Sequence, residues 1–418
     1  MKKVLVTLVA ALVAAASVFA GGQRAASSSG ATELYMFISQ PEYADAIRAL
    51  LVEYKKVAPN VVINYETTQD SYPAMLKTKL NSGDTPDIFT STAGAEIDSY
   101  KEYSLSLAGT PAAGAMIDAV ADGFKSMIDG SGPYGFAIKG NFFGILYNKD
   151  IFERAGVTEF PQTLDALEAA CEKIAALGVK PFTSGFGEWW VFKHTAMNFF
   201  GTASDDPIAL VKKFERGEAK ISDYPRLYND LFRYIDLVKK YGDDKPLETT
   251  LDREVAAFAN GQAAMTNGQG AWIEEDSLKV NPSLRIGFDG YPVSNNPADC
   301  KVVTGADQAM RVSNKSKHQK ELLDFVNWWY TSDYGKGWFA NIAKVVPPIK
   351  AGTVPNLEVP KQGSALVAQE GSQPLTIIYS TDAFHTAFGE ALQAYVGGAA
   401  TKDQTCAKIE AQWKAIDG

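Results

Sequence analysis

The chain has 418 residues, with 40 Lys and Arg against 49 Asp and Glu, 46% hydrophobic residues, and only 3 His and 3 Cys. This length predicts two or three compact units, and the composition excludes a disordered chain, a collagen-like repeat and a polytopic membrane protein. The net charge of -9 argues against nucleic acid or an acidic lipid surface as the main partner, because phosphate groups are bound largely by Lys and Arg.

The first twenty residues have the pattern of a secretory signal peptide. A positively charged start precedes an apolar run from Val4 to Val18, and small residues at its end predict cleavage after Ala20. Residues 21–31 are rich in Gly, Ala and Ser, which predicts a flexible tether. Because Gly21 stands where a lipoprotein would have Cys, we expect a soluble protein free in a bacterial periplasm.

Alternating strands and helices follow this leader. The pattern predicts, in chain order, a strand over Leu34–Ile38, a helix from Tyr43 to Val57, a strand over Val61–Tyr65, a helix over Tyr72–Leu80 and a strand over Asp87–Thr90. Ser39 and Glu42 have the spacing of a capping box before the first helix. Short joints between such elements predict a parallel sheet with right-handed crossovers, whose ligands bind at the carboxyl ends of the strands.

A second α/β unit with its own core follows a weakly periodic stretch over residues 104–132. Its predicted elements are the strand Ile145–Tyr147, the helices Lys149–Gly156 and Thr163–Leu177, the strand Pro181–Ser184, the helices Val191–Phe200, Tyr228–Lys240 and Asp252–Asn260, and the strands Ala263–Thr266 and Arg285–Phe288. A strand over Ala309–Val312 and a helix over Lys320–Tyr330 then indicate a return to the first sheet.

The three cysteines lie far apart in the sequence. Cys171 and Cys406 each share an apolar stripe at helical spacing, which favours two buried thiols over a disulfide bond. Cys300 lies in a stretch that reads as a polar loop, and its pairing stays open.

Four short segments occur in the order and at the spacing of a known family: Gly83–Phe89, Gly144–Phe152, Pro161–Asp165 and Phe258–Met265. Together they resemble the extracellular solute-binding proteins of carbohydrate ABC transporters, the maltose-binding-protein-like group. The resemblance covers nearly the whole chain after the leader. Leu164 stands where the family usually has Trp and Ala166 where it often has Glu, at a helix start remote from any expected site.

The resemblance implies the class II periplasmic-binding-protein or Venus-flytrap fold, in which two α/β lobes enclose a ligand cleft. The N-terminal lobe is expected to take residues 32–140 and 293–335, and the C-terminal lobe residues 141–292 and 336–418. By matching, the connections between the lobes are expected near residues 139–143, 285–292 and 335–341. Hinge closure of a monomer on its ligand would then present the loaded form to a membrane permease.

Candidate ligand residues in the second lobe combine aromatic rings with carboxylate and amide groups: Glu188, Trp189, Trp190, Gln269, Gly270 and Trp272. Carboxylates and amides suit paired sugar hydroxyls, and aromatic rings suit the flat apolar face of a sugar. We expect at least one of the two adjacent Trp rings to face the cleft, against the alternative that one packs beneath its helix. Trp272 is expected to be a stacking platform with Gln269 as its polar neighbour.

Candidate residues in the first lobe lie where predicted strands end: Gln40, Asp70, Tyr72, Ser91 and Thr92. Asn141 sits at a predicted connection, and Asp307 is open between a ligand contact and a helix cap. His385 is an outside candidate for the cleft, whereas His194 is expected to be a packed or surface residue and Glu42 a helix cap.

Two rival classes stay open. An exported glycosidase needs two carboxylates held at a defined separation, and the many acidic residues do not exclude one. A polyamine receptor would use carboxylates with aromatic rings, which this sequence partly offers. No CxxC, HExxH, GxSxG or GxxxxGK[ST] motif occurs, so we expect a binding protein without catalytic residues, metal or cofactor.

Overall fold

The computed structural model describes residues 30–68, 71–350, 353–373, 375 and 380–416. The predicted signal peptide, most of the predicted tether and Asp70 lie outside the described residues. The described part forms two α/β lobes, each built around its own sheet and its own apolar core.

The strands of the described part are, in chain order, β1 (Thr32–Ile38), β2 (Val61–Thr67), β3 (Ile88–Thr92), β4 (Asn141–Phe143), β5 (Ile145–Asn148), β6 (Lys180–Phe182), β7 (Ala263–Met265), β8 (Ile286–Asp289), β9 (Val303–Gly305) and β10 (Gln308–Val312). Its α-helices are α1 (Ala44–Val57), α2 (Tyr72–Ser82), α3 (Ala95–Ser99), α4 (Pro111–Ala115), α5 (Asp118–Asp122), α6 (Lys149–Arg154), α7 (Leu164–Ala175), α8 (Trp189–Gly201), α9 (Pro207–Glu215), α10 (Leu231–Tyr241), α11 (Leu251–Ala259), α12 (Glu274–Val280), α13 (Gln319–Thr331), α14 (Asp333–Asn341), α15 (Glu358–Glu370), α16 (Asp382–Val396) and α17 (Lys402–Lys414).

The first sheet has the strand order β10, β3, β1, β2. Strand β1 pairs in parallel with β2, from Thr32 opposite Val61 to Ile38 opposite Thr67, and also in parallel with β3. Strand β10 pairs antiparallel with β3 at the edge of the sheet. The predicted parallel βαβαβ unit and the later return of the chain to this sheet are therefore confirmed.

The start of α1 differs from the prediction. A 3-10 turn over Pro41–Tyr43 precedes the helix, and no capping hydrogen bond forms there. Ser39 instead donates its backbone N–H to Thr90 Oγ1 at 3.0 Å, which ties β1 to β3. Glu42 is therefore not a helix cap, and it lies at the edge of the space between the lobes.

The second sheet is mixed, with the strand order β6, β7, β5, β8. Strand β6 is parallel to β7, whereas β5 is antiparallel to both β7 and β8. Aromatic side chains from α8, α10, α16 and α17 fill the core beside it, including Phe199, Tyr234, Phe388 and Trp413.

A short antiparallel ribbon joins the lobes, because β4 leaves the first lobe beside β9, which returns to it. Before this return, Val293 and Cys300 are still buried in the second core, whereas Val303 is buried in the first. The chain therefore re-enters the first lobe near residue 303, later than the expected boundary at residue 293.

The third connection also lies later than expected. Residues 335–341 are helical within α14, whose Trp338 and Phe339 are buried in the first core. Trp338 donates from Nε1 to the carbonyl oxygen of Ala46 at 2.8 Å. Ile349 still packs in that core, so the chain leaves the first lobe only after α14 and before α15, which packs on the second sheet.

All three cysteines are free and buried. Cys171 and Cys406 pack in the second core as predicted. Cys300 packs in the same core and is only 1% exposed, so the expectation of a polar loop is wrong at this residue. Among the described residues, no helix combines the length and apolar character needed to cross a bilayer.

Candidate functional site

A cavity of about 1460 Å³ opens between the two lobes. The first lobe lines it with the carboxyl ends of β1 and β3 and the start of α1. The second lobe lines it with the start of α8 and with residues between Ala271 and α12. Residues 139–141, at the connection that β4 begins, and residues 342–346, which follow α14, also contribute.

Most of the predicted site residues come together in this cavity. Its lining includes Gln40, Tyr72, Ser91, Thr92, Asn141, Glu188, Trp189, Trp190, Trp272 and Asp307. These residues come from segments far apart in the sequence. The fold brings them to one cavity, as expected for residues that lie near the ends of strands.

Three predicted residues lie outside the cavity lining. Gln269 is fully buried, with its amide group bonded to Glu254 and Trp272. Gly270 lies so close to neighbouring atoms that an added Cβ would be 2.2 Å from the carbonyl oxygen of Phe142. His385 is buried within the second lobe beside Phe384. The structure therefore places these three residues behind or away from the cavity wall.

Tyr72 and Ser91 line the cavity with polar atoms that already have partners. The Tyr72 hydroxyl accepts from the backbone N–H of Thr90 at 2.7 Å and lies 3.1 Å from the carbonyl oxygen of Phe37. Ser91 Oγ accepts from Nε of the buried Arg311 at 2.9 Å. Both side chains therefore shape the wall of the first lobe.

Two buried oxygen atoms in the wall have no hydrogen-bond partner within the described ranges: Oε1 of Gln40 and Oδ1 of Asp307. Gln40 follows β1 and is only 4% exposed, and Asp307 precedes β10. A buried acceptor without a donor costs free energy, so native proteins rarely keep one unless something else supplies the donor. Both atoms fit a ligand that donates hydrogen bonds.

Lys139 is a cavity residue that the sequence reasoning missed. Its Nζ lies 5.7 Å from the ring centroids of both Tyr43 and Trp272, between the two lobes. Burial alone would lower the pKa of Lys139, but the neighbouring Tyr43, Asp307 and Glu42 outweigh it and raise the pKa. Lys139 is therefore a charged donor in the wall, and only its position before the crossover strand β4 could have indicated this role.

Aromatic rings cover the second-lobe side of the cavity. Trp272 meets Phe143 edge-on at 5.2 Å between ring centroids and His194 at 5.5 Å. The ring of Trp190 lies 5.2 Å from the same His194 ring. Trp189, Trp190 and Trp272 are all only partly buried, so each retains surface toward the cavity.

His194 is buried, as expected of a packed residue, and it also lines the cavity. Its Nδ1 lies 3.1 Å from the carbonyl oxygen of Gly268, which can only accept. Burial holds the pKa of His194 well below its usual value, so the ring is neutral. The proton of the neutral ring is therefore assigned to Nδ1, which leaves Nε2 as a hydrogen-bond acceptor.

The described residues hold no group of three or more His, Cys, Asp and Glu side chains arranged to bind a metal ion. The arrangement instead offers hydrogen-bond acceptors, charged donors that include Lys139, and exposed ring faces. Such a surface can bind a polar solute that has both hydroxyl groups and apolar faces.

Comparison with known proteins places this geometry in context. Residues 39–336 match the family model described as bacterial extracellular solute-binding protein. The multiple sugar-binding protein of Streptococcus mutans is 24% identical over 303 residues, which are 71% of this chain and 70% of that protein. A binding protein of Brucella abortus is 30% identical over 331 residues, which are 74% of each chain.

A solved structure shares the fold over nearly its whole length. The binding protein MsmE of Bacillus subtilis, in an open conformation, superposes with a TM-score of 0.80. The match covers 94% of this chain and 99% of that one at 17% sequence identity. The two-lobe α/β architecture is therefore common to both proteins.

Proposed function

The chain belongs to the bacterial extracellular solute-binding proteins, and from this premise we propose that it captures a sugar or oligosaccharide for an ABC importer. In this proposal the lobes close on the ligand by a hinge motion, and the loaded protein delivers it to a membrane permease. The protein acts as a monomeric binder in the periplasm, exported by the leader at residues 1–20, and it carries out no reaction on its ligand.

The observation that carries the proposal is the pairing of ring faces with unpartnered acceptors across one cavity. Trp189, Trp190 and Trp272 offer apolar faces from the second lobe. Gln40 and Asp307 offer, from the first lobe, buried oxygen atoms that lack donors among the described residues. A sugar supplies both complements, since its hydroxyls donate hydrogen bonds and its C–H faces stack on rings.

The size of the cavity supports a ligand larger than one sugar ring. Its volume of about 1460 Å³ exceeds the roughly 300–1,000 Å³ that is typical of small-molecule sites. The relative from Streptococcus mutans is named a multiple sugar-binding protein. We therefore propose a short oligosaccharide as the preferred ligand, held from both sides.

The ribbon of β4 and β9 is the proposed hinge, because the chain passes between the lobes there. Asn141 begins β4, Lys139 lies two residues before it, and both residues line the cavity. Binding at these residues would therefore couple ligand contact directly to the angle between the lobes.

A thermal-shift screen of the purified protein against monosaccharides, oligosaccharides and spermidine tests the proposal. A ligand that binds only the folded state raises the melting temperature, so at least one oligosaccharide should do so without being converted. A shift with spermidine alone would favour a polyamine receptor. Release of smaller sugars from any oligosaccharide would show an enzyme and overturn the proposal.

A further inference from the structure

Three side chains in a row connect the cavity wall to the interior of the second lobe. Trp272 donates from Nε1 to Oε1 of Gln269 at 3.1 Å. Gln269 donates from Nε2 to Oε2 of Glu254 at 2.7 Å. The other carboxyl oxygen of Glu254 accepts the backbone N–H of Asn267 at 2.9 Å. We call Glu254, Gln269 and Trp272 the platform chain.

The direction of every hydrogen bond in the platform chain is determined by its outer end. An indole N–H can only donate, so Gln269 must turn its oxygen toward Trp272 and its nitrogen toward Glu254. Residue 254 must then accept at both of its terminal atoms. A carboxyl group can accept at both oxygens in either protonation state, whereas the nitrogen of an amide can only donate.

The two polar side chains behind Trp272 are completely buried. Glu254 and Gln269 are both 0% exposed, and an ionisable group is rarely buried so completely without partners. Gly185 makes room for the carboxyl group, since a Cβ at that position would lie 2.3 Å from Oε2 of Glu254. The backbone φ of Gly185 is +61°, a conformation that residues other than glycine rarely adopt.

We propose that Glu254 is a positioning residue which, through Gln269, holds the Trp272 ring at the angle where its face meets the ligand. The inference rests on the proposed function for the ligand's identity, but the orientation of the ring can be measured without any ligand. Phe143 and His194 meet the ring in T-shaped arrangements, and Nζ of Lys139 lies 5.7 Å from its centroid. The bond from Trp272 Nε1 to Gln269 is directional, unlike these contacts, and therefore restrains rotation of the indole.

The matched test exchanges the two polar groups. In Glu254→Gln, whichever way the new amide turns, either Gln269 or Asn267 faces a donor in place of an acceptor. The double variant Glu254→Gln/Gln269→Glu restores the polarity, since the new amide donates to a carboxylate that can still accept from Trp272. Glu215→Gln is the control, because Glu215 is a second buried carboxylate, 3% exposed, that does not line the cavity.

The readout without ligand is the indole N–H signal of Trp272 in a nitrogen–proton correlation spectrum, identified by its loss in Trp272→Phe. We expect Glu254→Gln to shift this signal and to speed its hydrogen exchange. The double variant should restore both properties, and Glu215→Gln should change neither.

The readout with ligand is the dissociation constant for an oligosaccharide found in the thermal-shift screen. We expect Glu254→Gln to weaken binding about tenfold, the effect of one lost buried hydrogen bond.

A background without the indole N–H separates positioning from general stability. Trp272→Phe keeps a ring but removes the donor, so Glu254→Gln should cause no further loss of affinity there.

Should Glu254→Gln not fold, Gln269→Met breaks the platform chain one residue closer to the ring and should give the same spectral change. An unchanged indole signal, a folded double variant that restores nothing, or an equal loss of affinity in the Trp272→Phe background would overturn the proposal. If no sugar binds, the proposed function fails while the ligand-free spectrum still decides the role of Glu254.

Discussion

Trp272 presents part of its ring to the cavity and its N–H to the protein interior. If its face stacks on the ligand, Trp272→Ala should weaken binding by roughly 1 to 3 kcal/mol, the scale of a lost aromatic contact. Calorimetric titration measures this loss. Trp328→Ala is the control, because Trp328 stacks on Tyr334 in the first lobe and does not line the cavity. Equal affinity of Trp272→Ala and wild type would make the residue structural.

His194 offers a second test in the wall, through its assigned acceptor atom Nε2. In His194→Asn the shorter amide can still donate to the carbonyl oxygen of Gly268 but has no atom at the position of Nε2. We expect this variant to lose about 0.5–1.5 kcal/mol of binding free energy, the net value of one hydrogen bond. His194→Gln, which places a carbonyl oxygen or amide nitrogen farther out, should recover part of the loss in the same calorimetric titration. Wild-type affinity in His194→Asn would rule out a ligand contact at Nε2.

Glu254 should make stability depend on pH. Burial raises the pKa of Glu254 from its usual 4.5 to about 8, although its bonds from Asn267 and Gln269 oppose this change. Between these values the folded state holds a proton that the unfolded chain releases. The stabilising contribution is therefore complete below pH 4.5 and is lost as the pH rises through about 8.

Melting temperatures of wild type and Glu254→Gln, measured from pH 5 to 9, test this pH dependence. The wild type should lose stability relative to the variant as the pH rises, because the amide does not titrate. Parallel profiles across the whole range would show that Glu254 has an ordinary pKa.

Residue types and strand ends were enough to predict many of the cavity residues, including Gln40 and Trp272. They could not reveal Lys139 or His194, because neither has a local pattern that separates a ligand contact from a packed side chain. Gln269 illustrates the opposite error, since its position beside Trp272 was right but its amide is turned to Glu254, fifteen residues away in sequence. Which way a side chain turns depends on partners that sequence spacing does not show.

The turn before α1 is an element for which the sequence pattern gave a wrong prediction. The spacing of Ser39 and Glu42 fits a capping box, but Ser39 lies at the end of β1, where Thr90 of the neighbouring strand supplies the hydrogen bond. Pro41 then begins a 3-10 turn. The spacing of residues within one segment could not predict that Thr90, on another strand, would bond to Ser39 instead.

The junction of β4 and β5 is the element on which the lobe connection depends. Gly144 lies between these strands, where an added Cβ would be 2.3 Å from the carbonyl oxygen of Asp289. Gly144→Ala should therefore destabilise the protein by roughly 1–3 kcal/mol, the usual cost of overpacking. Gly114→Ala in α4 is the control, because nothing lies within 4 Å of its added Cβ. Denaturant unfolding of both variants makes the comparison, and equal stability would contradict the tight packing at this junction.

For the whole molecule, alternating periodicity predicted two α/β units and the return to the first sheet. The segments of family resemblance added the cleft between lobes. The lobe boundaries were predicted less well, because the few apolar side chains of residues 293–302 and those of α14 could pack in either core, and only packing decides between them. Val293 joins the second core and Trp338 the first, a choice made by contacts with residues distant in sequence.

The central claim is that one oligosaccharide binds in the cavity between the lobes. Calorimetric titration of the folded protein with the sugar panel, alongside Trp272→Ala, tests it most directly. We predict saturable binding of an oligosaccharide at one site per chain, weakened by roughly tenfold or more in the variant. Absence of heat from every carbohydrate, or an oligosaccharide affinity that the Trp272→Ala change leaves untouched, would contradict this account.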